Sequence, residues 1–543
     1  MTADLGRPWH PTRLLDVGVA PLGKSDAITE CRLVSGAFIK GHERYVTLSH
    51  RWGSWNITVL TADNHEAFKG RIPLDCLPQT FLDCMLVARK LGIRYVWIDS
   101  LCIIQTGDDG QDWTQEASTM DLVYKNAYCN VSASWATPDT GLFVDRNPHE
   151  FRQLLLDIGY YADQNGDNVM RRTFESAEGM KKWIREVRGS PLNCRGWVLQ
   201  ERLLSRRNIC FCRQEIIWEC SEATCGESFP DLLPPFPNDL KTMLFEFSIS
   251  SSSSSGNCIE LETSEKDQLS ESLCSKWARI AMEYNTCQLT KWTDKLPALA
   301  GMAQHMKPML QSLYVAGLWL RYLPHQLFFW VCNPAPQQQD DGYVAPTFSW
   351  ASIPASDVQL DCHFGANNFL VLSDVSLVKY RQEAWFDEPI TNDIFGPMTK
   401  TEVELRVIAR LIPASIRFEV EPSGEYGPYQ LSPEGCDCTA EEAPIAPIFL
   451  DYEPSASASA EIDELCRIRY YYFPLRRNVR DLESPTLDCI VLKLDDAAMG
   501  RFTRVGLFKA EREDLLLDDW GHEREVESWS FNEETGEQTF YVI

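Results

Sequence analysis

At 543 residues the chain is too long for one hydrophobic core, and two or three domains are expected. A formal net charge of −27 and a pI near 4.8 exclude the basic footprint that nucleic-acid binding needs, and argue against docking on an anionic membrane surface. The 19 cysteines are scattered and the charged lead Met1 to Arg13 has no apolar centre, so reduced thiols in a cytoplasmic protein without a secretory leader are expected.

Residues 1–40 read as a lead-in of short loops and one strand. Tyr45 to Leu48 is strand-like and ends at Ser49 to Gly53. A helix opens at Pro78 and Thr80, repeats Phe81, Cys84, Ala88 and Leu91 at helical spacing, and closes at Gly92 in a left-handed cap. Tyr95 to Ile98 is a short aromatic and β-branched run that suits a strand buried on both faces. A second helix is predicted from Asp112 as its cap, with Gln115 in a capping box and Trp113, Ala117, Met120 and Tyr124 as one apolar stripe. Tyr128 to Ser134 reads as the next strand. Helix, strand, helix, strand with short connections predicts a parallel α/β sheet.

Residues 145–190 are charged and irregular, and read as an insertion in a domain spanning 41–225. Val198, Glu201, Arg202 and Ser205 then border a helix that packs through Trp197, Leu203 and Leu204. Asn208 to Cys212 and Glu215 to Cys220 form a predicted hairpin around Arg213-Gln214. Residues 226–270 hold the unbroken Ser250 to Ser255 run and read as a loop or linker. Residues 271–357 are helical from Leu273 to about Met306, then extended and aromatic from Tyr343 to Pro354. No apolar run reaches membrane length: Leu313 to Cys332 is broken by Arg321, Pro324 and His325 and reads as buried core. Residues 358–543 alternate in segments such as Val403 to Ile408 and Asp488 to Leu494, a mostly β region with a loop around Ser455 to Ala460.

Three blocks carry a resemblance. They are Tyr45 to Gly53 (YVTLSHRWG), Leu91 to Gln105 (LGIRYVWIDSLCIIQ) with Asp112, Trp113, Glu116, Met120, Tyr124 and Ala127, and Arg195 to Ser205 (RGWVLQERLLS). In this order, over some 160 residues, they resemble the fungal heterokaryon-incompatibility (HET) domain. Arg51 departs from the pattern, which often has a small residue or cysteine there. Asp294 to Gly301, Ala316 to Trp319 and Phe348 to Ser352 resemble the extension found behind such domains. The resemblance implies a TIR-like (flavodoxin-like), mainly parallel α/β sheet with flanking helices, followed by the helical middle and the β-rich C-terminal region. It also implies a part in programmed cell death and innate immunity after fusion of unlike hyphae, and, through those TIR domains that cleave NAD, an NAD hydrolase activity with NAD as substrate and no bound cofactor.

In an open parallel sheet, ligands bind beyond the carboxyl ends of the strands. Ser49, His50, Asp99 and Ser100 fall at such ends, and the loop Thr106 to Gln111 belongs to the same edge. Glu116 is the candidate catalytic residue. A fixed carboxylate stabilises the cation-like ribose of glycosidic cleavage, and nicotinamide leaves neutral without a strong acid. The position is similar to that of the catalytic glutamate of NAD-cleaving TIR domains; the bland alternative is a helix-N-terminal acid favoured by the dipole. Ser49, His50, Trp52, Asp99, Ser100, Trp113 and Arg195 are candidate substrate-binding residues. Four of them have a structural alternative: His50 a hydrogen-bonded ring, Trp52 a core wedge, Asp99 an acceptor in its own turn, Arg195 an ion pair with Glu201 or the acidic loop. Cys210, Cys212, Cys220 and Cys225 have no zinc-knuckle spacing, Cys102 reads as buried and inert, and no metal site is expected. No Gly-rich phosphate loop or serine-hydrolase motif is present. Two rivals remain: a non-catalytic signalling module acting by self-association or through an unlike protein partner, and a metabolic enzyme using the same cleft on a small substrate.

Overall fold

The computed structural model describes residues 9–19, 28–52, 57–137, 140–146, 160–162, 168–170, 181–233, 240–241, 263–334, 342–354, 358–361, 369–379, 394, 398–400, 402–418, 429–433, 446–452, 470–478, 486–496, 499–510 and 537–543. The Ser250 to Ser255 run, the loop at Ser455 to Ala460, Gly53 and most of the 145–190 insertion lie outside the described residues. The chain divides into two compact units, Met1–Cys258 and Ile259–Ile543.

The first unit is built on a nine-stranded sheet. Its lead-in supplies two strands, β1 (Arg13–Asp16) and β2 (Arg32–Ser35), rather than one. There follow β3 (Tyr45–Ser49), α1 (His65–Gly70), α2 (Gln79–Lys90), β4 (Tyr95–Ile98) and α3 (Asp99–Cys102). Next come α4 (Gln111–Ala117), α5 (Met120–Asn126) and β5 (Cys129–Ser132). A separate ribbon of β6 (Tyr160–Ala162) and β7 (Asn168–Met170) lies in the excursion. The unit continues through α6 (Gly196–Leu204), β8 (Arg207–Phe211), β9 (Ile216–Cys220), β10 (Thr224–Gly226) and β11 (Phe229–Leu233).

The strand order is β11-β10-β9-β8-β5-β3-β4-β1-β2. The four central strands β8, β5, β3 and β4 are parallel, in register from Tyr45 beside Tyr95 and from Val46 beside Cys129. Helices fill the crossovers between them, as parallel pairing demands. The sheet as a whole is mixed, which corrects the mainly parallel expectation. β1 and β2 add antiparallel to β4, and β8 to β11 form successive antiparallel pairs whose short turns allow nothing else. The expected hairpin around Arg213-Gln214 is the β8–β9 pair.

α2 buries Phe81, Cys84, Met85 and Ala88 and ends before Gly92 at φ +71°, where the missing Cβ removes the steric cost. The second predicted helix is broken. At Ser118 and Thr119 the side-chain hydroxyls bond to the carbonyls of Gln115 (2.6 Å) and Glu116 (3.2 Å), and the chain restarts as α5. Its cap position is Gly110 at φ +74°, not Asp112. The expected stripe holds in α5, where Met120 and Tyr124 are buried, but not in α4, where Trp113 is 38% exposed and Glu116 is buried.

The second unit opens with α7 (Thr263–Asn285) and α8 (Pro297–Leu310). Trp277 meets Tyr314 and Trp319 edge to face at 5.4 and 5.6 Å, and Tyr314 and Trp319 are tilted against each other at 4.9 Å, so most of the 313–332 stretch is buried core. The indoles of Trp277 and Trp350 both donate to the carbonyl of Gly317. The C-terminal region is a ten-stranded sheet, antiparallel except where Arg501–Ala510 pairs with Gln538–Val542. Among the described residues no helix is long and apolar enough to cross a membrane.

Candidate functional site

β3, β4 and β5 all end at one edge, and their side chains make a connected polar cluster there. Ser49 closes β3, and its hydroxyl donates to Glu201 Oε2 at 2.5 Å, with Asn130 Oδ1 of β5 a second acceptor at 3.2 Å. Thr47 Oγ1 also donates to Asn130 Oδ1 (2.9 Å), and Asn130 Nδ2 donates to Ser132 Oγ (3.2 Å). The Tyr124 hydroxyl of α5 is hydrogen-bonded to both Glu201 and Ser49. Burial drives the Glu201 carboxyl up to about 7; Ser49 opposes this, the negative charge of Asp99 adds to it, and Arg195 and Tyr124 oppose it.

Asp99 begins α3 and sits between three neighbours. It accepts from Trp52 Nε1 (2.8 Å) and from the Ser100 backbone N–H (2.7 Å), and its Oδ1 lies 3.6 Å from His50 Nδ1. His50 is buried with its ring edge-on to Phe81 at 4.8 Å. Burial holds its imidazole below the usual range. Asp99 and the Leu48 carbonyl favour the cation and Arg195 opposes it, but among the described residues neither ring nitrogen has a well-formed hydrogen bond. Arg195, the residue before α6, donates from Nη1 to the His50 carbonyl at 2.5 Å instead of forming an ion pair with Glu201. A narrow cleft with room for about one water-sized group opens beside this cluster, lined by His50, Arg51, Thr80, Phe81, Ala133 and Thr137.

Ser49, His50, Trp52, Asp99, Ser100 and Arg195 are thus brought together. Trp113 packs edge to face on Trp197, two residues beyond Arg195, with ring centroids 6.0 Å apart. Glu116 belongs to a second cluster on the β1 side of the edge. Its Oε1 is 3.5 Å from Arg13 Nη2, and the Thr12 hydroxyl is bonded to it. Arg13 also grips both oxygens of Asp112 (2.7 and 2.5 Å) and donates to the Cys102 carbonyl (2.6 Å). Burial raises the Glu116 carboxyl; the Thr12 hydroxyl and Arg13 oppose this. Glu116 stands in the last turn of a seven-residue helix, so the dipole does not favour it and Arg13 does.

Sequence reasoning passed over Asn130 and the role of Tyr124. Tyr124 read as part of an apolar stripe. A lone Asn inside a buried strand was the available signal, because an amide at that position needs partners. Cys210 and Cys212 are buried against Trp183, Val187 and Ile217, and among the described residues no three His, Cys, Asp or Glu side chains cluster as metal ligands. Elemental analysis is expected to find no stoichiometric zinc; one zinc per chain, lost with the fold in Cys210→Ser, would contradict this account of the hairpin.

Residues 45–201 match the family model described as Heterokaryon incompatibility protein (HET). No match is found among the curated proteins or the solved structures. The matched span runs from the first residue of β3 to Glu201 and so includes nearly all of the polar edge. Residues 45–201 are therefore similar to the heterokaryon incompatibility (HET) domain, and the family match is confined to that part of the chain.

Proposed function

We propose that the HET domain triggers cell death by hydrolysing NAD at the nicotinamide–ribose bond, at the carboxyl edge of its central strands. One observation carries this reading. Numbered among themselves, the parallel strands lie in the order 2-1-3-4, so the order reverses between β3 and β5, and the cleft beside His50 and Ala133 opens at that reversal. This order supports a TIR-like, flavodoxin-like arrangement, and a strand-order reversal is where such sheets take their ligands. The cluster beneath it is costly: among the described residues, a buried Glu201 with no cation in direct contact and a buried His50 without a good hydrogen bond are arrangements a merely structural edge does not need.

In this reading Asp99, held by Trp52 and Ser100, binds the ribose hydroxyls, and Trp52, Ser49, His50, Trp113 and Arg195 shape the site around them. Glu116 supplies the charge that stabilises the ribosyl cation. Bond cleavage sends the C–N electron pair to the pyridinium, which leaves as neutral nicotinamide; water adds to the anomeric carbon and releases one proton. Activity is cytoplasmic and rises with self-association or with an unlike partner.

The second reading, a non-catalytic recruitment module, is favoured by the narrowness of the cleft and by the pairing of Glu116 with Arg13. Expression of the full chain in a fungal host separates the two. Growth arrest accompanied by falling cellular NAD, both lost in Asp99→Asn, is expected. Arrest with unchanged NAD would favour recruitment. An Asn keeps the size of Asp99 and one acceptor oxygen, so the folded variant reports on charge.

A further inference from the structure

We propose that Tyr124, Glu201, Ser49 and Asn130 form a two-state proton-binding site under the sheet edge, in which Glu201 gains and loses a proton while every buried partner stays hydrogen-bonded. The alternation follows from the acceptors available to Ser49. With Glu201 charged, the hydroxyls of Ser49 and Tyr124 both donate to the carboxylate, and Asn130 Oδ1 accepts from Thr47 alone. With a proton taken from solvent, Glu201 donates to Ser49 Oγ. Ser49 then turns its own hydrogen to Asn130 Oδ1, the acceptor already 3.2 Å away. Tyr124 keeps its donation throughout. Neither state strands a buried polar atom, which is the condition for a buried acid to titrate without breaking its surroundings.

The groups facing Glu201 come from every element around it. Ser49 is on β3, Asp99 at the start of α3, Tyr124 on α5 and Arg195 just before α6, with Asn130 of β5 reached through Ser49. Asp99 pushes towards the protonated state; Ser49, Tyr124 and Arg195 push towards the charged one. These opposing neighbours, with burial, place the balance near neutrality, where a small change at the edge moves the proton. The charge beside Asp99, and hence the field at the proposed site, then depends on pH. The proposal does not rest on NAD cleavage, because its readout is the proton itself.

The sign for stability is fixed. The folded chain holds the proton between about 4.5 and 7, where the unfolded chain has lost it, so raising pH through that window weakens folding. The unfolding constant of the native chain, relative to Glu201→Gln, should rise by up to about tenfold per pH unit across the window and level off above it.

Infrared difference spectroscopy on the full chain tests the site directly. A buried carboxylic-acid carbonyl band should be present at pH 5, disappear on raising the pH with a midpoint near 7, and be missing in Glu201→Gln. Ser49→Ala removes a donor that favours the charged form, so the midpoint should move up by about one pH unit, a tenfold gain in proton affinity. Tyr124→Phe should shift it the same way, and these two variants keep the test open should Glu201→Gln fold poorly. A band unchanged from pH 5 to 9, or a midpoint that Ser49→Ala and Tyr124→Phe both leave in place, would overturn the proposal.

Discussion

Replacing Glu116 by Gln is expected to cut NAD loss by about two orders of magnitude or more, the scale seen when one preorganised electrostatic group is removed from a site. The amide keeps the size of the acid and one acceptor oxygen, and replaces the charged oxygen by a neutral NH2. Structural loss should be small. Arg13 retains both oxygens of Asp112 and the Cys102 carbonyl, so its guanidinium is not stranded by the change. The cost should stay near 1 kcal/mol, since one hydrogen-bonded contact is exchanged for a weaker one. Toxicity in a fungal host should fall in step with NAD loss. A folded Glu116→Gln chain that consumes NAD at the native rate would reduce Glu116 to the partner of Arg13, and leave Asp99 as the carboxylate to test.

The largest stability effect is expected far from this chemistry, at Arg504 in the second unit. Its guanidinium is buried and donates to Asp451 (2.9 Å) and to the carbonyls of Leu327 (2.5 Å) and Phe329 (2.7 Å), lying 3.5 Å over the Phe329 ring. Burial opposes both charges: it holds the guanidinium below its usual range and raises the Asp451 carboxyl. The pair therefore persists through mutual compensation. Arg504→Met fills much of the volume but leaves Asp451 and two carbonyls buried without their donor, which should cost about 3–5 kcal/mol. Denaturant unfolding followed by tryptophan fluorescence measures it. The double variant Arg504→Met with Asp451→Leu should recover part of the loss, because the orphaned charge is then gone. A single-variant loss under about 1 kcal/mol would mean that solvent reaches the pair.

The central strands were legible because their signal is local. Tyr45 to Leu48 and Tyr95 to Ile98 are β-branched and aromatic runs with helix patterns between them, and burial on both faces leaves no polar alternation to confuse. The hairpin at Arg213-Gln214 was legible for the same reason. The antiparallel strands β1, β2, β10 and β11 were not; each is three to five residues long, too short to carry an alternation of its own.

The site was half legible. That Ser49, His50 and Asp99 end strands follows from strand length alone, and the parallel order brings those ends together. The burial of Glu116 did not follow, because it depends on two hydroxyls at Ser118 and Thr119 that break a helix whose apolar spacing runs on through Tyr124. Glu201 read as one polar edge of a helix. Only the three-dimensional meeting of α6 with β3 and α5 shows that its carboxyl is covered by Ser49 and Tyr124.

The most direct measurement is NAD consumption by the purified full chain, concentrated enough to self-associate, with nicotinamide and ADP-ribose followed as products. The account predicts stoichiometric release of both, faster than linearly with protein concentration, and strongly reduced in Glu116→Gln and Asp99→Asn. No NAD loss from a chain that is assembled and kills its host would contradict it.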